Sequence, residues 1–235
     1  MTNKRLNEAY GRIINISPAD DNPAATQKHY IENCETWESD MKSMTYNAPD
    51  VAAQKAASLV SREQMEHFKL LDLGTGTGIS GVALRRAGFL GDISALDGSP
   101  GMLKLAMEKG TYSDETEHLL TSSNPLPYPD QSFDMVVSVS SFTKHHIESD
   151  CLEDVLRVLK PLSYLIATVR FDRHMQDYKA RFYNELDRLE AAGLIKICSR
   201  DKYLHYRWDE VSDEFEVNFE DQYAHVLVLQ KSGNN

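Results

Sequence analysis

Residues 70–81, Leu-Leu-Asp-Leu-Gly-Thr-Gly-Thr-Gly-Ile-Ser-Gly, constrain the fold of this chain more than any other stretch. Leu70, Leu71 and Leu73 are broken only by Asp72, the pattern of a strand buried on both faces of a parallel sheet. Gly74, Gly76 and Gly78 then occupy alternate positions, and Ile79 to Ala87 can continue as a helix. Strand, glycine turn and helix in close succession open a nucleotide-binding βαβ unit. Glycine turns tightly at low steric cost and lets a ligand lie against the backbone. The helix that follows begins with unpaired N–H groups.

The spacing separates two ligand classes. In a dinucleotide fingerprint a third glycine would stand where this chain has Ile79. The pattern here is Asp-x-Gly-x-Gly-x-Gly, and an acid two residues before the first glycine suits an ammonium group better than a pyrophosphate. Asp72 is therefore expected to face a cation, directly or through water, and an NAD-dependent oxidoreductase is disfavoured. The next strand, residues 92–97, ends on Asp97, 25 positions after Asp72 and within the range of a second parallel strand.

Leu-Asp-Leu-Gly-Thr-Gly-Thr-Gly resembles motif I of the class I S-adenosylmethionine-dependent methyltransferases. That resemblance implies a turn, with Asp72, Gly74, Thr75, Gly76 and Gly78, around the methionine part of S-adenosyl-L-methionine, which leaves as S-adenosyl-L-homocysteine. It implies Asp97 on the ribose, where a carboxylate can accept from both hydroxyls. Gly98-Ser99-Pro100-Gly101-Met102-Leu103 is similar to the family's helix start after that acid, with Met102 against adenine. Residues 124–134 resemble the family's loop before the fourth strand; where many members carry an adenine-reading Asp upstream of it, this chain has Ser122 and Ser123. Ser138 on the fourth strand is a further cofactor candidate. The Asn/Asp-Pro-Pro-Tyr of enzymes that methylate DNA bases or glutamine is replaced by Ser138-Val139-Ser140-Ser141, which disfavours that substrate class. Lys-Gly-x-Tyr after the second helix, Phe-Thr-x-x-His, and Thr-Val-Arg add a resemblance to the methyltransferase-like family of the Williams–Beuren syndrome region. The implied fold is a Rossmann-like α/β sandwich: a seven-stranded, mostly parallel sheet with an antiparallel edge strand and helices on both faces.

In chain order, residues 1–27 are polar, carry Pro18 and Pro23, and read as an extension, flexible in part. Residues 28–235 read as one domain, with lid helices over 28–67 and the core over 68–235. Tyr30, Trp37 and Tyr46 in the lid are expected near cofactor or substrate, with core packing as the competing reading. The third strand is placed at 117–122 and the fourth at 133–140. A helix follows, ended by Pro161, and the fifth strand runs from Ser163 to Arg170. Where many relatives have Lys-Pro-Gly-Gly, this chain has Lys160-Pro161-Leu162-Ser163.

His145 and His146 follow the fourth strand, where open α/β sheets place their chemistry. An imidazole there can take a proton from an acceptor, and His146 is preferred; a surface or capping pair is the competing reading. Phe142, Arg170 and Tyr203 complete the substrate-side candidates, with Tyr206 and Trp208 beside them. No metal is expected, because adjacent histidines do not readily share one ion and no ligand cluster accompanies them.

The net charge of −11 opposes a long phosphate footprint, so nucleic acid is disfavoured. No apolar run is long enough for a membrane span, the first residues carry no apolar signal core, and three scattered cysteines fit a reducing compartment. The reading is a cytoplasmic enzyme, monomeric or homodimeric, that methylates a small molecule. A protein or RNA methyltransferase, or a cofactor-binding protein without activity, is the alternative.

Overall fold

Leu70–Leu73 are buried without exception and form β1. The computed structural model describes residues 4–14, 23–171, 175–207 and 219–233. β1 is flanked on one side by β2 (Ile93–Asp97) and on the other by β4 (Phe133–Val139), both parallel to it. β3 (Asp114–Glu117) extends the sheet beyond β2, and β5 (Leu159–Val169) extends it beyond β4. β6 (Ile195–Leu204) and β7 (Tyr223–Lys231) complete seven strands in the order β3-β2-β1-β4-β5-β7-β6. β7 alone runs against the rest, between β5 and the outermost strand β6. The order reverses direction between β1 and β4, and the C-terminal ends of those strands open the cleft where such sheets hold ligands.

Alternation along β1 divides the core. Leu71 and Leu73 face α7 (Leu152–Val158) and α8 (Gln176–Ala191), whose Tyr178, Phe182, Leu186 and Leu189 form the helical stripe read from the sequence. Leu70 faces the other way, toward α3 (Ala48–Ser58), α5 (Ile79–Ala87) and α6 (Pro100–Met107). Ala52, Ala53 and Ala56 let α3 lie close on that face. A capping box between Ser61 and Gln64 starts α4 (Arg62–His67), which leads into β1.

Three boundaries differ from expectation. β3 lies at 114–117, earlier than the leucine-containing 117–122, because it is a solvent-facing edge strand whose Asp-Glu-Thr-Glu carries charge in place of apolar residues. Pro161 does not stop a helix: α7 ends at Val158 and β5 already begins at Leu159, with an irregularity in its pairing to β4. Leu162 takes φ 64°, and its side chain stands exposed. Within the N-terminal segment, residues 4–14 form α1 (Lys4–Ile14). Its Leu6, Ala9 and Tyr10 pack with Met41, Met44 and Tyr206. Arg12 grips the buried Asp40 of α2 (Pro23–Ser43) through two bonds of 2.6 Å. Among the described residues no helix is long and apolar enough to cross a membrane.

Candidate active site

The turn after β1 is shaped by what a side chain would meet. A Cβ on Gly74 would lie 2.1 Å from Ser141 Oγ, so the loops after β1 and β4 approach each other as closely as a bare backbone allows. Gly76 has φ 57° and nothing within 4 Å of its missing Cβ: its open side is a backbone cradle. Thr75 turns inward instead. Its Oγ1 donates to Asp72 O at 2.8 Å and accepts from Leu96 N–H at 3.1 Å, so its side chain ties β1 to β2 and only its backbone borders the cradle. Gly78 starts α5.

Asp72 is fully buried beneath this turn. Its Oδ2 accepts from Ser80 Oγ at 2.6 Å and from the Tyr112 hydroxyl at 2.7 Å, while Tyr112 O accepts from Gly81 N–H at 3.0 Å. Its Oδ1 is buried with no partner. Burial pushes the carboxyl up to about 6, against the two side-chain bonds that favour the anion. Because the folded value is raised, Asp72 contributes stability below the unfolded value near 3.8 and loses it as pH rises toward 6. Asp72→Asn is therefore expected to stabilise the unliganded protein at pH 8 by on the order of 1 kcal/mol, a few degrees in Tm, and to give no gain at pH 4. Thermal melts at the two pH values test this; a lower Tm at pH 8 would count against a strained, ionised Asp72.

Asp97 ends β2 beside the cradle. Gly76 N–H donates to its Oδ2 at 2.8 Å and Ser99 N–H to its Oδ1 at 2.8 Å. Burial raises its pKa, while the amides of Gly76, Ser99 and Gly98 oppose the rise. Each oxygen keeps lone-pair capacity for a ligand donor. Met102 is buried one turn into α6, which Ser99 caps. Ser122 and Ser123 are not brought to this edge. β3 ends at Glu117, and the two serines sit exposed in the turn closed by the Thr121–Asn124 bridge. Ser138 lies buried within β4, its hydroxyl without a partner.

The substrate-side candidates divide. Tyr30 and His146 meet although 116 residues separate them, with the phenol 2.8 Å from Nε2. His146 Nδ1 is 3.0 Å from Lys144 O, and a carbonyl only accepts, so Nδ1 carries the proton. In the neutral form of the ring Nε2 is then the acceptor, and Tyr30 O–H donates to it. Trp37 packs edge-on against Tyr30 at 5.3 Å between centroids. Burial raises the Tyr30 pKa, and Tyr206 and Asp97 add to the rise. An ion pair from Glu38 to Lys109, 2.6 Å long, holds α2 to the core. His145 adopts φ 65° in the turn, and its N–H donates to Glu148 Oε1.

Phe142 belongs to the core: it is fully buried and packs on Phe182 at 5.7 Å, so it is no substrate wall. Tyr46 O–H donates to Ser140 Oγ at 3.0 Å, and its ring lies 5.1 Å from that of His205. Arg170 places its guanidinium over Tyr206 at 5.7 Å. Tyr203 reaches His205 Nδ1 at 2.6 Å. Trp208 lies outside the described residues. Sequence reasoning missed Ser80, Thr168 and His205 and gave Tyr112 no role. Tyr112 had a signal, since it ends the Lys-Gly-x-Tyr motif; the others meet their partners only through the fold. Among the described residues no three potential metal ligands cluster.

A family model described as a methyltransferase domain matches residues 71–167. Methyltransferase-like protein 27 of Homo sapiens is 31% identical over 158 residues, 67% of this chain and 63% of that protein. A demethylmenaquinone methyltransferase of Tropheryma whipplei (strain Twist) is 31% identical over 151 residues, 64% and 61% of the two chains. The chain thus spans about three fifths of the length of these curated relatives. Among solved structures, a methyltransferase in complex with the Trm112 methyltransferase activator of Haloferax volcanii superposes with TM-score 0.59 at 18% identity, covering 85% of this chain and 94% of its own. The [4+2]-cyclase SpnF superposes with TM-score 0.56 at 19% identity, covering 78% and 79%. These two likenesses are of fold, and the fold serves more than one chemistry.

Proposed function

We propose, for a chain that carries a class I S-adenosylmethionine-dependent methyltransferase domain, that it transfers the methyl group of S-adenosyl-L-methionine to a small-molecule acceptor. The residues fit that cofactor. The orphaned Oδ1 of Asp72 and the cradle at Gly76 suit its amino-acid end, and Asp97 has capacity for two ribose hydroxyls. Met102, buried in the first turn of α6 after Asp97 and Ser99, would border its adenine. When bound, the sulfonium supplies an activated methyl group, so the protein needs no covalent intermediate.

The observation that carries the small-molecule reading is the Tyr30–His146 hydrogen bond, which closes α2 over the strand ends. A closed lid excludes water and positions a compact acceptor more readily than a macromolecular chain. His146 is the base: its Nδ1–H is fixed on Lys144 O, and Nε2 takes the proton of an acceptor O–H or N–H that replaces Tyr30. The relative from Tropheryma whipplei is a demethylmenaquinone methyltransferase, which favours a small acceptor here as well.

Calorimetric titration of the protein with S-adenosyl-L-methionine and, separately, NAD⁺ tests the cofactor half. Binding of the former alone is expected. A screen of metabolite mixtures with methyl-labelled cofactor tests the acceptor half. Label appearing only in protein or RNA fractions would overturn the small-molecule reading.

A further inference from the structure

Lys231 ends β7 and is only 7% exposed, although lysine is seldom buried without a charged partner. β5 begins at Leu159 and β7 runs against it. Lys231 therefore lies at the N-terminal ends of the parallel strands, the opposite end of the sheet from the glycine turn and Asp97. Its ammonium donates to Leu159 O, just past the end of α7, at 2.8 Å. An ammonium carries three N–H groups, and among the described residues the other two have no protein acceptor. Enclosing a charged donor without an acceptor is unfavourable.

Lys231 lines a cavity of about 230 Å³, with Leu156 of α7 and Leu194, just after α8, as apolar walls. An apolar cavity of about 150 Å³ is already enough for benzene. Asp130, Glu153 and Arg157 line the same space. Both of those carboxylates are held by arginines. Arg157 donates to Asp130 at 2.9 Å and to Asp154 at 2.7 Å, and Arg188 grips Glu153. The Asp130 and Glu153 side chains also stand in solvent, while Lys231 is enclosed. The cavity therefore has an order: arginine-paired carboxylates toward solvent, leucine walls, and an enclosed ammonium with two donors unmet. Burial lowers the Lys231 pKa, a shift that Asp130 opposes and Arg157 adds to.

We propose that this cavity is a second binding site, for a small monocarboxylate with a compact apolar body, its carboxylate on Lys231 Nζ and its carbons against Leu156 and Leu194. One negative charge at the ammonium accepts the two unmet N–H groups as charge-assisted hydrogen bonds. Inorganic phosphate suits the space less. It brings further charge toward Asp130 and Glu153 and gives the leucines no carbon to cover. The site shares no residue with the cleft after β1 and β4, so it stands independently of the methyltransferase reading.

The test is an NMR shift titration of the full chain with 4-methylpentanoate, its neutral amide 4-methylpentanamide, and inorganic phosphate. The acid is expected to bind at about 1 mM or tighter, and at least about tenfold more tightly than the other two. It should move the backbone signals of Leu194 and Lys231 and leave Gly76 in place. Lys231→Met, which keeps the bulk and removes the ammonium, should bring the acid down to the affinity of the amide. Should that variant fail to fold, Leu194→Trp, which fills the cavity from a half-buried wall and leaves the ammonium, should abolish binding of the acid. Equal affinities for acid and amide, phosphate binding as tightly as the acid, or acid binding that survives Lys231→Met would overturn the proposal. So would the absence of any shift at about 10 mM acid, which would leave water as the occupant. Tighter binding of N-acetyl-L-leucine, which mimics the carboxylate end of a peptide, would overturn a free acid in favour of a chain terminus.

Discussion

Asp97→Ala is expected to weaken S-adenosyl-L-methionine binding by roughly a hundredfold or more, measured by calorimetric titration. Hydrogen bonds to an ionised carboxylate contribute about 1.5–3 kcal/mol each, and two ribose hydroxyls would lose theirs together. The same carboxylate also holds the Gly76 and Ser99 amides at 2.8 Å, so its removal loosens the cradle from within. Asp97→Asn should rescue little. Whichever way its amide turns, the NH₂ meets a backbone N–H from Gly76 or Ser99, donor against donor. A control melt should show the fold intact, since the side chain lies at a strand end and is only half-buried. Affinity close to the parent's would remove Asp97 from the site.

His146→Ala should lower kcat by about 10²–10⁴ on the acceptor that the labelled-methyl screen identifies, the range of general-base catalysis. Cofactor affinity should hardly change, because His146 is held at the lid by Lys144 O and Tyr30, while Gly76 is held by Asp97. The split between kcat and cofactor affinity is the informative readout. Tyr30→Phe supplies the contrast: it leaves the imidazole in place and removes the phenol from Nε2. If His146→Ala turns over as fast as the parent, the acceptor loses its proton elsewhere and the histidine only seats α2.

The reading from residues reached the half of the fold whose signals are local. β1 announces itself because both its faces are covered, so every position must be apolar or, like Asp72, internally bonded. α5 occupies Ile79–Ala87 as read, since the glycine turn before it and Gly88 after it fix both ends. β3 was misplaced for the opposite reason: an edge strand survives on charge, and charge looks like loop. Pro161 misled because proline is a helix stop only where a helix would otherwise continue; here it sits in the irregular start of β5. Spacing placed Asp97 beside the glycine turn, and Tyr30 and His146 stood as separate candidates. Their meeting was not legible, nor were the bonds of Ser80 and Tyr112 to Asp72, because each depends on where helices land across the sheet. Phe142 was misassigned because the turn after β4 points it inward, to Phe182.

The placement of β7 between β5 and β6 has a consequence in time. When synthesis has passed Leu204, β6 exists but has no neighbour, because the strand that joins it to β5 is Tyr223–Lys231. The glycine cradle and Asp97 come from β1, β2 and the helices between them, which close over short sequence separations and can form early. Tyr203 and His205, by contrast, stand on or just after β6, which joins the sheet only once β7 has threaded into the gap, more than fifty residues after the end of β5. The two walls of one cleft are therefore born at different moments. A nascent or partly unfolded chain can hold the glycine turn and Asp97 before β6 has joined the sheet.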